Sequence, residues 1–467
     1  MSTTLFALCL NPLLHRLDQT LIGLRIHQRQ RQSAVLAYAD DITLLITTPG
    51  DIDAVKDAIQ CYEKGTGAIL NIRKSQALAV VTWDTTPVMD IPCNDEITVL
   101  GFKIQKSIAR AASASWTRIT HMVRTQARDT YIRDLGLSQR IQYAHVYLLS
   151  KPWHTAQIYP APTECVRQIV AAVAWFIWQG AIFRVPISTL QKRMEGGWDL
   201  PDVAAKCRAL LITRIWTQSQ SAGTITNELL KYWKIQTYTA NPPDIRRIPK
   251  ALEHLRSYAL EMAYIRPLRE TEPPKKFRRR MYGTLCTMAQ AGRTLPEMRI
   301  TQLHPRTDWK QVWENLHETW APDPLIALWY KVIHDILPTN ERLNRIKLTN
   351  TSQCRECGDQ DTIMHRLTTC GRAREIWTWT NARLAGILRT DPAHIPNEWL
   401  VRTQFHLWPP QKRRATLWIL VHMVWFRTQM NQALSAHDYS DFLRRARWKA
   451  YQTTARQRQV GRYLEVL

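Results

Sequence analysis

Ala34-Val35-Leu36-Ala37-Tyr38 and Ile42-Thr43-Leu44-Leu45-Ile46, separated by Ala39-Asp40-Asp41, are the residues on which the fold reading turns. Both outer runs are short, apolar and partly β-branched, the composition of strands. The few residues between them leave room only for a tight reversal. The stretch therefore reads as a β-hairpin with two acids at its turn. Thr47-Thr48-Pro49-Gly50 closes it. Asp51 then opens a helix over residues 52–63, with Asp53 in its first turn. Upstream, Leu5, Leu8, Leu13, Leu14 and Leu17 recur at helical spacing, and a polar basic loop follows at 25–32. Downstream, strands are expected near 75–82 and 97–104.

Adjacent carboxylates at a hairpin tip have two readings. Asp is common in turns because it hydrogen-bonds its own backbone. The same pair can also hold hard divalent cations such as Mg²⁺, which serve phosphoryl transfer by activating a hydroxyl and stabilising a leaving pyrophosphate. The dipeptide alone leaves both open. Gly65-Thr66-Gly67 does not add a phosphate loop, because no Gly immediately precedes Lys74 as that motif requires.

The 467 residues carry 63 Lys and Arg against 39 Asp and Glu, a net charge of +24. Such an excess attracts polyanions, nucleic acid first among them. Its densest runs are Lys275-Lys276-Phe277-Arg278-Arg279-Arg280 and Arg444-Arg445-Ala446-Arg447-Trp448-Lys449, with Arg456, Arg458 and Arg462 beyond. Phosphate binding, a nuclear import signal and a plain solvated face are the readings of these runs. Nine scattered cysteines, an odd number, argue against a disulfide framework and for a reducing compartment. The apolar runs at 169–178 and 415–426 are shorter than the roughly 20 residues a bilayer needs, so no membrane span is expected.

Cys354, Cys357, His365 and Cys370 are spaced C-x₂-C-x₇-H-x₄-C. Three thiolates and an imidazole complete a tetrahedral Zn²⁺ set, and Gly358 follows the first pair as a knuckle turn requires. Between hairpin and cysteines the pattern is helical over 106–235 and rich in Trp. Trp175 and Trp178, three apart, are expected in a core, and Gly196-Gly197 in a turn. Prolines and cations over 236–285 read as a connector, and Trp309, Trp313, Leu316 and Trp320 as a helix within 305–350.

Taken in order, these motifs resemble the reverse transcriptases of non-LTR (LINE-type) retrotransposons. Tyr38-Ala39-Asp40-Asp41 is similar to their Tyr-x-Asp-Asp motif, and residues 2–14 to the segment that follows Gly-Cys-Pro. Gly67-Ala68-Ile69-Leu70-Asn71 with Lys74-Ser75 resembles Gly-x-x-Leu-Asn-x-x-Lys-Ser, and Leu100-Gly101-Phe102 resembles the primer-grip turn. The apolar-Trp run 175–180 and the Gly-Gly turn resemble a segment beyond the palm, and the cysteine cluster resembles the C-terminal Cys-Cys-His-Cys motif.

The resemblance implies an α+β fold. Residues 1–105 would be a partial palm, an antiparallel sheet with helices, and 106–235 a helical thumb and extension. Residues 236–350 would be a basic connector with helices, 351–375 a zinc knuckle, and 376–467 a C-terminal helical region. The implied activity is RNA-directed DNA polymerisation, with Mg²⁺ and Zn²⁺ as metals, an RNA template and a DNA primer or target as partners, and the nucleus and cytoplasm as location. Asp40 and Asp41 would be catalytic Mg²⁺ ligands, and Lys74 would sit near the departing pyrophosphate. Tyr38, Ala39, Leu100 and Gly101 would contact primer and template. Lys275, Lys276, Arg278, Arg279, Arg280, Arg444, Arg445 and Arg447 would bind nucleic acid. The family also needs an upstream catalytic Asp and a fingers region. Asp18 does not fit that motif, so the chain is expected to be N-terminally truncated and inactive alone.

Overall fold

The computed structural model describes residues 3–23, 25–27, 30–31, 34–80, 87–130, 135–182, 184–191, 196–221, 227, 273–290, 304–395, 410–429 and 435–452. Helices dominate these residues, beside three separate two-stranded antiparallel ladders. Two compact units are present. One takes Met1–Met122, Lys151–Val166 and Ala204–Thr287; the other takes Val123–Ser150, Arg167–Val203 and Met288–Leu467.

In the first unit, α1 (Thr3–Thr20) buries Leu10, Leu13 and Leu17, at spacings of three and four, with Leu21 just beyond its end. They pack on Val55 and Ala58 of α2 (Pro49–Thr66) and on Ala34. Leu5 and Leu8, expected on the inner face, are exposed; Phe6 takes that side instead, because the helical 100° step rotates 5 and 8 away from 10, 13 and 17. The loop expected at 25–32 contains a short ladder, β1 (Arg25–His27) with β2 (Gln30–Arg31).

β3 (Val35–Tyr38) and β4 (Asp41–Leu44) pair antiparallel from Val35↔Leu44 to Tyr38↔Asp41. The hairpin thus forms as read, with Ala39 and Asp40 as its two-residue turn and Asp41 already in the strand. Ala39 takes a left-handed φ of 54°, which favours Gly or Asn over Ala. α2 starts before Asp51, with Pro49 in its first turn, where a missing N–H costs nothing. Asp51 is therefore inside the first turn. Its buried carboxylate accepts hydrogen bonds from the backbone N–H groups of Ile22 (3.2 Å), Thr47 (2.9 Å) and Thr48 (2.9 Å) and from Thr47 Oγ1 (2.9 Å). This one side chain ties the exit of α1 to the entry of α2. Burial alone would raise its pKa, but the four hydrogen bonds hold it below the usual carboxylate value.

Two strand expectations need correction. The described part of 75–82 contains only an isolated bridge, Ala77↔Cys93, and residues 81 and 82 lie outside the described residues. The run 97–104 is a hairpin: β5 (Glu96–Val99) and β6 (Phe102–Gln105) join through Leu100-Gly101. Both turn residues have positive φ, 49° and 81°, and Gly101 makes that reversal accessible. Among the described residues the ladders are not joined into the single sheet expected of a palm. β6 is fixed by the Tyr159 hydroxyl donating to the Lys103 carbonyl at 2.8 Å and by Phe102 stacked on His154 at 4.1 Å.

The expected helices over 106–235 are present in the described residues: α3 (Ile108–Asp129), α4 (Leu137–Tyr143), α5 (Ser150–Thr155), α6 (Thr163–Trp178) and α7 (Val203–Gln220). Trp178 is buried as expected, whereas Trp175 is 43% exposed, because α6 turns Ile169, Val173, Phe176 and Ile177 inward. Within the span read as a connector, Pro274–Gln290 is a helix, α8. Pro273-Pro274 marks its start rather than a linker, and Phe277, Met281 and Leu285 form its buried stripe. Phe277 stacks on Trp216 of α7 with centroids 4.2 Å apart.

The second unit contains α9 (Trp309–Glu318), α10 (Asp323–Ile333), α11 (Asn340–Arg345), α12 (Gly371–Leu388), α13 (Pro410–Gln429) and α14 (Ala436–Gln452). α13 is buried almost all round, with residues 415–424 sealed from solvent, but no described helix is long and apolar enough to cross a membrane. Asp323 accepts from Ser138 Oγ (2.7 Å) and the Gln139 N–H (3.3 Å), holding α4 on α10. Gly196 has φ 87°, and a Cβ there would sit 2.9 Å from the Trp313 ring, so both backbone and space demand glycine.

Candidate metal centre

Cys354 and Cys357 lie on a tight knuckle. The Gly358 N–H donates to the Cys354 carbonyl at 3.0 Å, the Cys354 N–H donates to the Asp359 carbonyl, and Gly358 supplies the left-handed φ of 79° that reverses the chain. An antiparallel bridge, Gln353↔Gln360, closes its base. His365 opens a wide helical turn, His365–Thr369, that ends at Cys370. Cys370 caps α12, so the helix start fixes the fourth thiol.

All four donor atoms lie within 4.8 Å of one another. Cys357 Sγ is 3.2 Å from His365 Nε2, and the other ring nitrogen, Nδ1, is 3.5 Å from Thr369 Oγ1. Zn–S bonds of about 2.3 Å and Zn–N bonds of about 2.1 Å set tetrahedral edges of roughly 3.6–3.8 Å, so the residues fit a zinc ion with shifts of about 1 Å or less. The donor chemistry agrees: soft thiolates with one imidazole select Zn²⁺ over Mg²⁺ or Ca²⁺. His365 and Cys370 are buried, Cys354 is half-buried and Cys357 exposed, a closed structural site rather than one open for a substrate.

The thiols already influence one another. Burial pushes Cys354 up, but hydrogen bonds from the Glu356 backbone, His365 and Cys357 bring it down to about 7. Cys357 moves the other way: the Asp359 backbone pulls it down, and burial with the neighbouring Cys354 and Cys370 raises it to about 11. A bound cation would relieve that crowding by stabilising all the thiolates.

Several groups outside the ligand set, missed in the sequence, hold it in place. Asp361 is buried and pairs with Arg366, and its Oδ2 accepts from the Asn340 N–H at 2.7 Å at the start of α11. Arg366 reaches back to the Pro338 carbonyl at 3.1 Å. Arg427 of α13 donates to the Arg366 carbonyl at 3.3 Å, and Arg372 pairs with Glu356 at 3.3 Å. The cluster's spacing is readable along the chain, but these braces come from 338–340 and 427, too far away for a local pattern to show.

The other expected site residues are exposed and dispersed. Asp40 and Asp41 sit at the tip of the β3–β4 hairpin, with Tyr38 69% exposed and Ala39 exposed beside them. Lys74 is exposed on the turn Ile72–Lys74, its backbone N–H bonded to Asn71 Oδ1 at 3.2 Å. Leu100 and Gly101 form the β5–β6 turn. No hydrogen bond or ion pair joins Asp40 or Asp41 to Lys74 among the described residues. The group Cys354, Cys357, His365 and Cys370 is the cluster of three or more metal-binding side chains found there. Lys275, Lys276, Arg279 and Arg280 are exposed on α8, and Arg278 is half-buried. Arg444 and Arg445 are exposed on α14 and Arg447 is half-buried, with Arg444 paired to Asp441 at 2.5 Å. Arg456, Arg458 and Arg462 lie outside the described residues.

Compared as a whole with curated proteins, the chain matches none. Residues 297–377, which hold α9, α10, α11 and all four candidate ligands, match the family described as zinc-binding in reverse transcriptase. This part of the chain is similar to a zinc-binding region associated with reverse transcriptases and carries a Cys/His cluster that could hold zinc, which supports a relation to reverse transcriptases.

Proposed function

We propose that the protein is the C-terminal part of a non-LTR retrotransposon reverse transcriptase. On this reading it holds a structural zinc, engages RNA template and DNA primer or target, and does not polymerise alone. The observation that supports this is the joint presence in one chain of a Tyr-x-Asp-Asp hairpin and a Cys₃His cluster within a reverse-transcriptase zinc-binding region. The net charge of +24 fits a polyanionic partner.

Cys354, Cys357, His365 and Cys370 would hold Zn²⁺, which joins the knuckle to the start of α12. Magnesium is a different matter. Two-ion phosphoryl transfer needs more carboxylate oxygens than a pair of adjacent acids provides. Asp40 and Asp41 are the acids at the hairpin tip, and no third acid joins them among the described residues. They fall short of a Mg²⁺ site, so polymerisation requires a further carboxylate. That shortfall also favours a second reading, a zinc-containing nucleic-acid-binding protein derived from such an element and without catalysis.

The test combines two assays on the zinc-loaded chain. Binding to labelled RNA and DNA strands is expected, weakening steeply with salt. Primer extension on an RNA template with Mg²⁺ is expected to give no product. Absence of salt-dependent binding contradicts the nucleic-acid reading, and robust extension contradicts the statement that the chain does not polymerise alone.

A further inference from the structure

α7 and α8 border a cavity of about 200 Å³ in the first unit, away from both the hairpin and the zinc knuckle. Arg214, Thr213, Thr217 and Gln218 line it from α7, Arg278 from α8, and Gln157 from the segment after α5. Lys206 lies on the same helical face, two turns before Arg214, with its ammonium 5.5 Å from the Tyr282 ring.

Three cations are therefore gathered without a compensating acid. Arg214 donates to the neutral Gln157 carbonyl at 3.4 Å, and no carboxylate pairs with Lys206, Arg214 or Arg278 among the described residues. Burial, and then the nearby Arg278 charge, lower the pKa of Lys206, so these cations repel one another. Burial also lowers Arg214. The hydroxyl protons of Thr213 and Thr217 are spent on the Ala209 (2.6 Å) and Thr213 (2.8 Å) carbonyls of their own helix. The donors left in the lining for a ligand are the two guanidinium groups and the Gln218 amide, with the Lys206 charge close to Arg278. A cation is repelled here and a neutral molecule relieves nothing. A multiply charged oxyanion accepts from both Arg forks and offsets the repulsion, and the phosphoryl group has that geometry.

We infer that this cavity is a phosphoryl-binding pocket in which Arg214 and Arg278 clamp a backbone phosphate of a bound nucleic-acid strand, with Lys206 adding charge. The inference deepens the nucleic-acid reading above and rests on it for the identity of the strand.

The test uses the full zinc-loaded chain and two probes: a short labelled single-stranded oligonucleotide across a salt series, and inorganic phosphate by calorimetry. Arg214→Met with Arg278→Met is compared with Lys56→Met, an exposed cation on α2 outside the cavity lining. The double variant is expected to lose phosphate binding and about tenfold or more of oligonucleotide affinity. Its log–log salt slope should flatten by about 1.4, at ~0.7 per cation. Lys56→Met should keep phosphate binding. Arg214→Lys with Arg278→Lys keeps the charges and the packing of the stems; it should hold the salt slope and lose affinity for both probes. Loss of phosphate binding with unchanged oligonucleotide binding means a pocket for free phosphate and overturns the strand assignment. No change with either probe overturns the pocket. A wild-type chain that binds phosphate but no oligonucleotide overturns the nucleic-acid reading and leaves a free-anion pocket. One that binds neither overturns both.

Discussion

The acidic hairpin and the Cys/His knuckle are both tight turns that present side chains of metal-ligand type, and they differ in closure. At the knuckle four donors converge within 4.8 Å, two of them buried, and Asp361, Arg366 and Arg427 hold the surrounding backbone. At the hairpin one acid sits in the two-residue turn and one on the first strand residue after it, with no third acid beside them among the described residues. The first is complete within one stretch of chain. The second, on the reading proposed above, would be one part of a larger arrangement. A metal site assembled from local sequence is self-sufficient, whereas one assembled from several strands depends on all of them.

The largest consequence concerns the metal. Chelation, or Cys370→Ser, removes a binding free energy on the order of 10 kcal/mol, as in small zinc modules. The second unit is expected to melt at a markedly lower temperature, followed by calorimetry with and without chelator. Asp40→Asn with Asp41→Asn should leave the melting temperature unchanged within error, since both side chains are exposed. Equal losses in the two experiments would erase the contrast.

Gly196→Ala tests the packing beside the zinc-binding region. Left-handed φ and the close Trp313 ring together should cost about 2–3 kcal/mol in denaturant unfolding. A neutral result would mean that the turn relaxes freely.

Acid separates the two units. His334 is buried beneath Trp313, and burial lowers its pKa from 6.5 to about 3. Protons then bind the unfolded chain first, so the second unit should lose stability as pH falls from about 6.5 toward 3. Asp51 in the first unit also has a lowered pKa. Its contribution is complete above the ordinary value of 3.8 and is lost only as pH falls through the folded value. Asp51→Ala should cost about 2 kcal/mol at neutral pH, from three backbone donors left unpaired, and should flatten the first unit's response to strong acid. Melting curves across pH test both, and a first unit that weakens before the second contradicts the assignment.

The smallest effect is expected at the hairpin tip. Ala39→Gly relieves a positive φ and should stabilise by at most about 1 kcal/mol. Destabilisation would mean that the turn is held by contacts its exposure does not suggest.

The legible parts were those set by local rules. Two apolar runs around a short turn fixed the β3–β4 pairing, and the C-x₂-C-x₇-H-x₄-C spacing named all four donors of the cluster. Errors arose where one residue type carries two meanings. Prolines over 236–285 suggest a connector although Pro also starts helices, as Pro273-Pro274 does, and the stripe of Phe277, Met281 and Leu285 lies hidden among cations. Leu100-Gly101 split one expected strand in two because the turn's positive φ values leave no mark on hydrophobicity. The α7–α8 cavity and the braces from Asp361 to Asn340 and from Arg427 to Arg366 depend on contacts between distant segments, which periodicity does not encode.

X-ray absorption spectroscopy of the purified chain, with metal quantified on the same sample, tests the central claim most directly. One zinc per chain is expected, bound by three sulfurs and one nitrogen, with the nitrogen lost on His365→Ala. A chain without zinc, or one whose metal shows only oxygen and nitrogen neighbours, contradicts it.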